Sequence, residues 1–177
     1  MVRIRAMTEA DVPDVSAIRV RGWRSAYAGI VPQGCLDAMD EAEDTAMRRD
    51  MLARTAGRVH NLVAVAEDGG TVGWAAFGPC RGEAYDTATG ELYALYLRPE
   101  RIGTGIGRAL TAEVISRSAE AGRTRLVLWV LADNARARRF YAAAGFAPDG
   151  AEMTDTYGGV PLRELRYVRD LGGEAAR

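Results

Sequence analysis

Glu91-Leu92-Tyr93-Ala94-Leu95-Tyr96-Leu97-Arg98-Pro99-Glu100-Arg101-Ile102-Gly103-Thr104-Gly105-Ile106-Gly107-Arg108-Ala109-Leu110 is the stretch whose reading decides the fold. Its first seven residues, rich in Leu and Tyr, read as a strand, and Pro99 ends it. Gly103, Gly105 and Gly107 follow at alternate positions, and Ile106, Leu110 and Val114 then recur at helical spacing. A strand, a glycine turn and a helix start bring unpaired backbone N–H groups and the positive end of a helix dipole to one point, which makes an anion site. Glycine there permits positive φ and removes Cβ atoms, so a diphosphate can reach the main chain. A turn that merely joins strand to helix is the plainer alternative, but three glycines at a helix start lower its local stability, and a function explains that cost better. No Gly-Lys-Ser/Thr follows, so the loop is not a P-loop, and Leu110 rather than a third glycine excludes the dinucleotide fingerprint. Leu92 to Leu110 is therefore read as a cradle for the pyrophosphate of a nucleotide-bearing cofactor.

On the C-terminal side, Gly122 stops the helix, and Arg125 to Leu131 is nearly continuous apolar sequence, a strand buried on both faces. Asp133 and Asn134 cap a short helix to Ala144, Gly145 ends it, and Phe146 to Gly150 begins a last hairpin whose return strand is about Leu162 to Val168. On the N-terminal side, Val2 to Arg5 alternates as a short strand, and Thr8 with Asp11 forms a capping-box-like start. The helix that follows carries Val12, Val15 and Ile18 on one face and runs to about Tyr27. Gly29 and Pro32 break it, and a second helical stretch covers roughly Gln33 to Arg54. Asn61 to Glu67 and Thr71 to Gly78 are β-rich runs joined as an antiparallel hairpin by Asp68-Gly69-Gly70, and Arg81 to Gly90 is loop. The order is β, two helices, three strands, helix, strand, helix, two strands: one domain over residues 1–171, with a frayed tail at 172–177.

With 177 residues and 48% apolar content the chain can bury one core. A formal net charge of -1 gives no broad basic surface, which argues against nucleic acid as a partner. All 23 basic residues are arginine, a pattern of codon preference rather than of 23 chosen phosphate contacts. Cys35, Cys80 and His60 stand alone, so no metal site and no disulfide framework is expected, and both thiols read as small buried hydrophobes. His60 caps a strand. Met1 to Ala10 lacks a signal-peptide core and no window approaches a membrane span, so a soluble cytoplasmic protein is expected, with a homodimer by base rate.

Leu95-Tyr96-Leu97-Arg98-Pro99, followed by Gly103-Thr104-Gly105-Ile106-Gly107-Arg108-Ala109-Leu110, resembles the acetyl-CoA signature of the GNAT superfamily of N-acetyltransferases. Asn134-Ala135-Arg136-Ala137-Arg138-Arg139-Phe140-Tyr141, ending at Gly145-Phe146, is similar to the family's other cofactor-side motif. The resemblance spans most of the chain and is strongest from Glu91 to Phe146. It implies an α+β fold: a mixed, mostly antiparallel central sheet flanked by helices, in which the strands Glu91 to Leu97 and Arg125 to Leu131 run parallel and splay apart. Acetyl-CoA would enter that gap. Ile102, Gly103, Thr104, Gly105, Ile106, Gly107 and Arg108 would hold its pyrophosphate, the strand edge at Leu95, Tyr96 and Leu97 would pair with its pantetheine arm, and Asn134 would bond the same arm. One departure stands out: the family usually carries Arg or Gln three residues before the middle glycine, and residue 102 is Ile. Main-chain amides carry most of this contact, so the departure weakens a side-chain contribution without abolishing the site. Whether the neighbouring Arg101 reaches the phosphates stays open.

The resemblance further implies transfer of an acetyl group from acetyl-CoA to a primary amine of a small molecule, by direct attack in a ternary complex. An alkyl ammonium with pKa near 10.4 must first lose a proton, which near pH 7 costs roughly 4 to 5 kcal/mol. Glu91 matches a position where some relatives keep a catalytic Glu and is the candidate base, acting through water; the alternatives are a strand-end Glu facing solvent and a water chain alone. A backbone N–H near Leu95 or Tyr96 would hold the oxyanion, and Tyr141, at the family's usual general-acid place beside the cofactor, would protonate the departing sulfur unless its ring serves only packing. Trp23 and Tyr27, four apart on one helix face, either pack in the core or line the acceptor pocket, with Trp74 and Tyr157 as weaker candidates. Asp37, Asp40, Glu41, Glu43 and Asp44 would form a solvated helix start or attract a polyamine. Two rivals remain: acetylation of a protein or peptide amine, and a noncatalytic acyl-CoA-binding regulatory domain, which would have no need to keep Tyr141.

Overall fold

In a computed structural model, residues 2–82 and 87–172 are described; part of the expected loop, residues 83–86, and most of the expected tail, residues 173–177, lie outside them. The chain opens with β1 (Arg3–Ala6), then α1 (Val12–Ala26), α2 (Gln33–Asp37) and α3 (Glu41–Arg54). The hairpin β2 (His60–Val65) and β3 (Thr71–Pro79) leads to β4 (Thr89–Leu97), α4 (Ile106–Glu120), β5 (Arg125–Leu131), α5 (Ala135–Ala143), β6 (Ala147–Tyr157) and β7 (Val160–Asp170).

The start signal before α1 works as expected, because the Thr8 N–H donates to the Asp11 carboxylate at 2.8 Å. Asp11 also takes both guanidinium nitrogens of Arg5, at 2.6 and 2.7 Å, which ties β1 to the helix start. Residues Glu9–Asp11 form a 3-10 turn, so the α-helix proper begins at Val12. The helix expected from Gln33 to Arg54 is two helices. Asp40 parts them, since its carboxylate accepts the Ala42 and Glu43 N–H groups, both at 2.9 Å, and so starts a new helix.

The seven strands lie in the order β1-β2-β3-β4-β5-β7-β6, and every neighbouring pair is antiparallel except β4 with β5. This is the mixed, mostly antiparallel α+β sheet expected. The parallel pair has three rungs only, Thr89 with Arg125, Gly90 with Leu126 and Glu91 with Val127. Beyond Glu91 and Val127 the strands part. A register shift between Ala76 and Phe77 leaves Tyr93 as an extra residue on β4, directly after the last rungs. A bulge bends its strand and raises the local twist, which carries β4 away from β5.

Each sheet face has its own core. Leu62, Ala75, Leu92, Leu126 and Leu128 pack under Leu110 and Val114 of α4, and Val63, Trp74 and Ala76 pack under Val12 and Val15 of α1. β5 is buried on both faces over most of its length, as its apolar run requires. Helices on both faces thus clamp the sheet where it is open. No helix among the described residues is long and apolar enough to cross a membrane.

Candidate active site

A cleft of about 570 Å³ occupies the gap between β4 and β5. Leu95, Tyr96 and Leu97 form one wall, Trp129 and Val130 the other, and Gly103, Gly105, Gly107 and Arg108 the floor at the start of α4. Asn134, Arg136, Phe140 and Tyr141 of α5 close it, and Gly22, Ser25 and Tyr27 of α1 border it.

The glycine loop divides its labour. Gly103 and Gly105 have φ of 84° and 87°, and a Cβ added to either would meet nothing within 4 Å, so backbone conformation is what demands glycine there. Gly107 has ordinary φ; a Cβ there would stand 3.4 Å from the Phe140 ring, so its reason is the close approach of α4 to α5. The first helical bond runs from Ala109 N–H to the Gly105 carbonyl at 3.0 Å. The N–H groups of Ile106, Gly107 and Arg108 therefore have no acceptor within the helix, and no side chain caps them. An uncapped positive helix end with open space above its glycines fits a pyrophosphate. Thr104 contributes by bracing, because its hydroxyl donates to the Arg101 carbonyl at 2.6 Å. Ile102 lines the cleft as an exposed apolar side chain, Arg101 faces a different depression beside Glu67 and Asp68, and Arg108 is the cation of the loop that lines the cleft.

Asn134 is the N-cap of α5: its Oδ1 accepts the Ala137 N–H at 3.1 Å, which leaves the side-chain NH2 to the cleft. The Tyr141 ring is fixed edge-on to Phe140 and Phe146, with centroids at 5.2 and 6.0 Å. Its hydroxyl makes no hydrogen bond among the described residues, and burial, with Tyr96 near it, pushes its pKa above the ordinary tyrosine value. It is thus a protonated hydroxyl that no described residue holds. Tyr27 and Tyr96 meet hydroxyl to hydroxyl at 3.3 Å beside it, and burial raises both.

Glu91 is surrounded otherwise than the sequence suggests. It is 1% exposed, at the last parallel rung, and does not line the cleft. The Arg81 guanidinium donates to Oε1, and the Arg81 backbone N–H donates to Oε2 at 2.9 Å with the Cys80 thiol beside it. The solvent-facing strand-end reading is therefore corrected, since the root of the splay buries this side chain under the Arg81 loop. Cys80 is half-buried rather than a fully buried hydrophobe, with its thiol 3.8 Å from the Glu91 carboxylate. Burial and that carboxylate push the thiol up to about 11, which keeps it protonated and unreactive.

A second cavity, of about 700 Å³, lies on the α1 and α3 side of the sheet and shares Tyr93, Ala94 and Tyr96 with the first. Trp23 and Trp74 line it, whereas Tyr27 faces the cleft. Trp23 stands edge-on to Tyr27 with centroids 4.8 Å apart, so the pair spans the border between the two spaces. The Trp23 indole N–H lies near the Tyr96 hydroxyl but short of hydrogen-bond geometry, a buried donor without a partner among the described residues. Trp74 donates to Asn61 at 3.1 Å and stacks on Tyr96. Tyr157 lines neither space; its ring backs Trp23 at 6.0 Å and its hydroxyl donates to the buried Glu164 at 2.9 Å. The acidic run around Asp40 is mostly helix start. Asp44 is its exception, buried and shared by Arg19 at 2.6 Å and Arg48 at 3.1 Å. Arg136 and Phe140 were already inside the second motif without a role assigned to them, while no local pattern in the sequence marks Arg48 or Arg19.

A sheet that opens between two parallel strands over an uncapped, glycine-led helix defines the class of an acyl-CoA N-acyltransferase. The family model of the acetyltransferase (GNAT) family matches residues 23–146, and the chain belongs to that family. It is 34% identical to the uncharacterized N-acetyltransferase YuaI of Bacillus subtilis over 170 residues, 93% of this chain and 91% of that one. Among solved structures it is similar to the ribosomal-protein-alanine N-acetyltransferase of Brucella melitensis, at 28% identity and a TM-score of 0.75, covering 95% of this chain and 99% of that one. It is also similar to a GNAT superfamily phosphinothricin acetyltransferase of Sinorhizobium meliloti in complex with acetyl-CoA, at 25% identity and a TM-score of 0.74, covering 99% and 91%. The protein is an acetyl-CoA-dependent acetyltransferase, with acetyl-CoA as its cofactor.

Proposed function

We propose that the chain transfers the acetyl group to a primary amine of a small molecule, by direct attack in a ternary complex, with Tyr141 as general acid. The observation that carries this reading is the Tyr141 hydroxyl, protonated and unbonded among the described residues, in the cleft between the parted strands. The acetyl thioester supplies an activated carbonyl when bound. Ile106, Gly107 and Arg108 would hold the pyrophosphate through their N–H groups, with the Arg108 side chain and Arg136 as further cations at the cleft. The Asn134 amide and the free edge of β4 at Leu95 and Leu97 would hold the pantetheine arm.

With the cofactor bound, the acceptor nitrogen, freed of its ammonium proton, would add to the thioester carbonyl, and the N–C bond would form before the C–S bond breaks. The Tyr141 hydroxyl would give its proton to the departing sulfur, and the surplus proton on the nitrogen would return through water to the Tyr141 oxygen. A backbone N–H near Leu95 or Tyr96 steadies the oxyanion in between. For the ammonium proton, Glu91 through water and a water chain past the tyrosine hydroxyls are the two routes. The second is favoured here, because Arg81 and Cys80 already engage both Glu91 oxygens.

The named relatives act on unlike acceptors, a ribosomal protein's alanine in one case and phosphinothricin in the other. The acceptor is therefore argued from this chain's own second cavity, whose size suits a small molecule better than a protein surface. The cytoplasm and a homodimer complete the proposal. Incubation with acetyl-CoA and a panel of small amines and peptides, read by thiol release and by mass of the product, tests it. N-acetylated small amines are expected; acetylation of peptides alone, or of nothing, overturns it.

A further inference from the structure

The second cavity has a charge pattern that the acetyl-transfer reading does not require. Arg19, Arg48, Arg58 and Arg81 line it, and no carboxylate does among the described residues. The acids that answer these cations stand behind the wall: Asp44, 5% exposed, takes Arg19 and Arg48, and Glu91 takes Arg81. Among the described residues, two carboxylates behind four guanidinium groups leave the space itself with a surplus of positive charge.

Arg48 is the fixed member of this group. It is 6% exposed, its guanidinium lies 4.3 Å over the Trp74 ring, and Asp44 holds its Nε and Nη2. Its third nitrogen, Nη1, makes no hydrogen bond among the described residues. A guanidinium immobilised on one edge, with donors left on the other, is pre-organised for a second oxyanion. The rest of the wall is aromatic and apolar, from Trp23, Trp74, Tyr93 and Tyr96 to Met47 and Met51 at the mouth. Tyr96 belongs to both cavities, so a molecule anchored on the arginines reaches toward the cleft past that ring.

We propose that this cavity takes an acceptor amine that also carries an oxyanion, a carboxylate or a phosphonate, held by Arg48 and its neighbouring arginines with the amino group directed past Tyr96 to the cleft. The inference rests on the amine-acceptor reading and names its substrate class. A polyamine, which the acidic run around Asp40 had suggested, meets like charge here.

The test measures binding apart from turnover. CoA-loaded enzyme is titrated with L-phenylalanine, its amide, 2-phenylethylamine and 1-amino-2-phenylethylphosphonate, read by quenching of the fluorescence of Trp23 and Trp74. At least one of the two oxyanion-bearing amines is expected to bind about tenfold or more tightly than the amide and the plain amine, and which one does so identifies the anion. Arg48→Gln is expected to abolish the preference. Arg58→Glu, at an exposed side chain with no partner among the described residues, is expected to reduce it several-fold with the fold intact. Equal affinity for all four compounds, tighter binding of the uncharged-tail amines, or an unchanged preference in both variants overturns the proposal. Retained preference without any acetyl transfer overturns the functional reading and leaves this subsite standing.

Discussion

Tyr141→Phe removes one oxygen atom that makes no hydrogen bond among the described residues. The ring contacts to Phe140 and Phe146 do not involve the hydroxyl, so packing survives the change. Stability should move by no more than about 0.5 kcal/mol, the usual range for a substitution that breaks no contact, which for a chain of this size is roughly 1 to 2 °C in Tm. Activity should respond on another scale. Loss of a positioned general acid lowers the chemical step by roughly 10²- to 10⁴-fold, about 3 to 5 kcal/mol of transition-state stabilisation. The KM for acetyl-CoA should stay within about twofold, because the backbone cradle at Gly103 to Arg108 is untouched. Single-turnover transfer to an unactivated amine, followed by quenched-flow mass spectrometry, isolates the step from product release. Because burial pushes the Tyr141 hydroxyl above its ordinary value, the wild type should show no loss of rate from this group between about pH 6 and 9. Full single-turnover rate in the Phe variant, with a slow amine, would refute the reasoning.

Gly105→Ala puts a side chain on a residue at φ 87°, a strain of about 1 to 2 kcal/mol at the floor of the cleft. Calorimetry should find CoA bound roughly 5- to 30-fold more weakly, and unchanged affinity would separate the loop from the cofactor. Glu91→Gln is expected to lower kcat/KM by less than about fivefold, as befits a residue that secures the Arg81 loop; a loss beyond about 100-fold with a vanished acidic limb of the pH profile would make it the base instead. The Arg5 guanidinium beside Asp11 holds that carboxyl well below the usual carboxylate range. Its contribution to stability is therefore complete above the unfolded pKa near 3.9 and is lost as pH falls toward the lower folded value. Asp11→Asn should cost roughly 1.5 to 3 kcal/mol at pH 7 and flatten the fall in the urea midpoint below about pH 4; parallel curves for wild type and variant would contradict this.

The strands and the residues that gather at the cleft between β4 and β5 were legible because their signals are local. Alternation in Val2 to Arg5, the Asp-Gly-Gly turn and the apolar run of β5 each carry their geometry in a few residues, and Gly103, Gly105 and Asn134 owe their roles to backbone conformation at one point. The break between α2 and α3 was missed although Asp40 followed by Glu43 is an N-cap pattern and the acids around it read as a helix start; the stretch from Gln33 nonetheless reads as one helix. The bulge at Tyr93 has no glycine to mark it, since it is set by how β3 and β4 pair. Arg48 was illegible for the same reason in stronger form. A helical Arg reads as solvated surface until the sheet brings Trp74 beneath it and Asp44 beside it.

The three-rung pairing of β4 with β5 has a consequence for the empty protein. Beyond those rungs two strands in the middle of the sheet, not at its rim, have no partner facing each other. A ligand lying along them works as a missing structural member, so occupancy and rigidity belong to one equilibrium. At a concentration 100 times its dissociation constant such a ligand adds about 2.7 kcal/mol to the folded state. On the cofactor placement proposed above, the cell's supply of the acetyl donor would set how firmly the two halves of this sheet are joined as well as how fast the enzyme turns over.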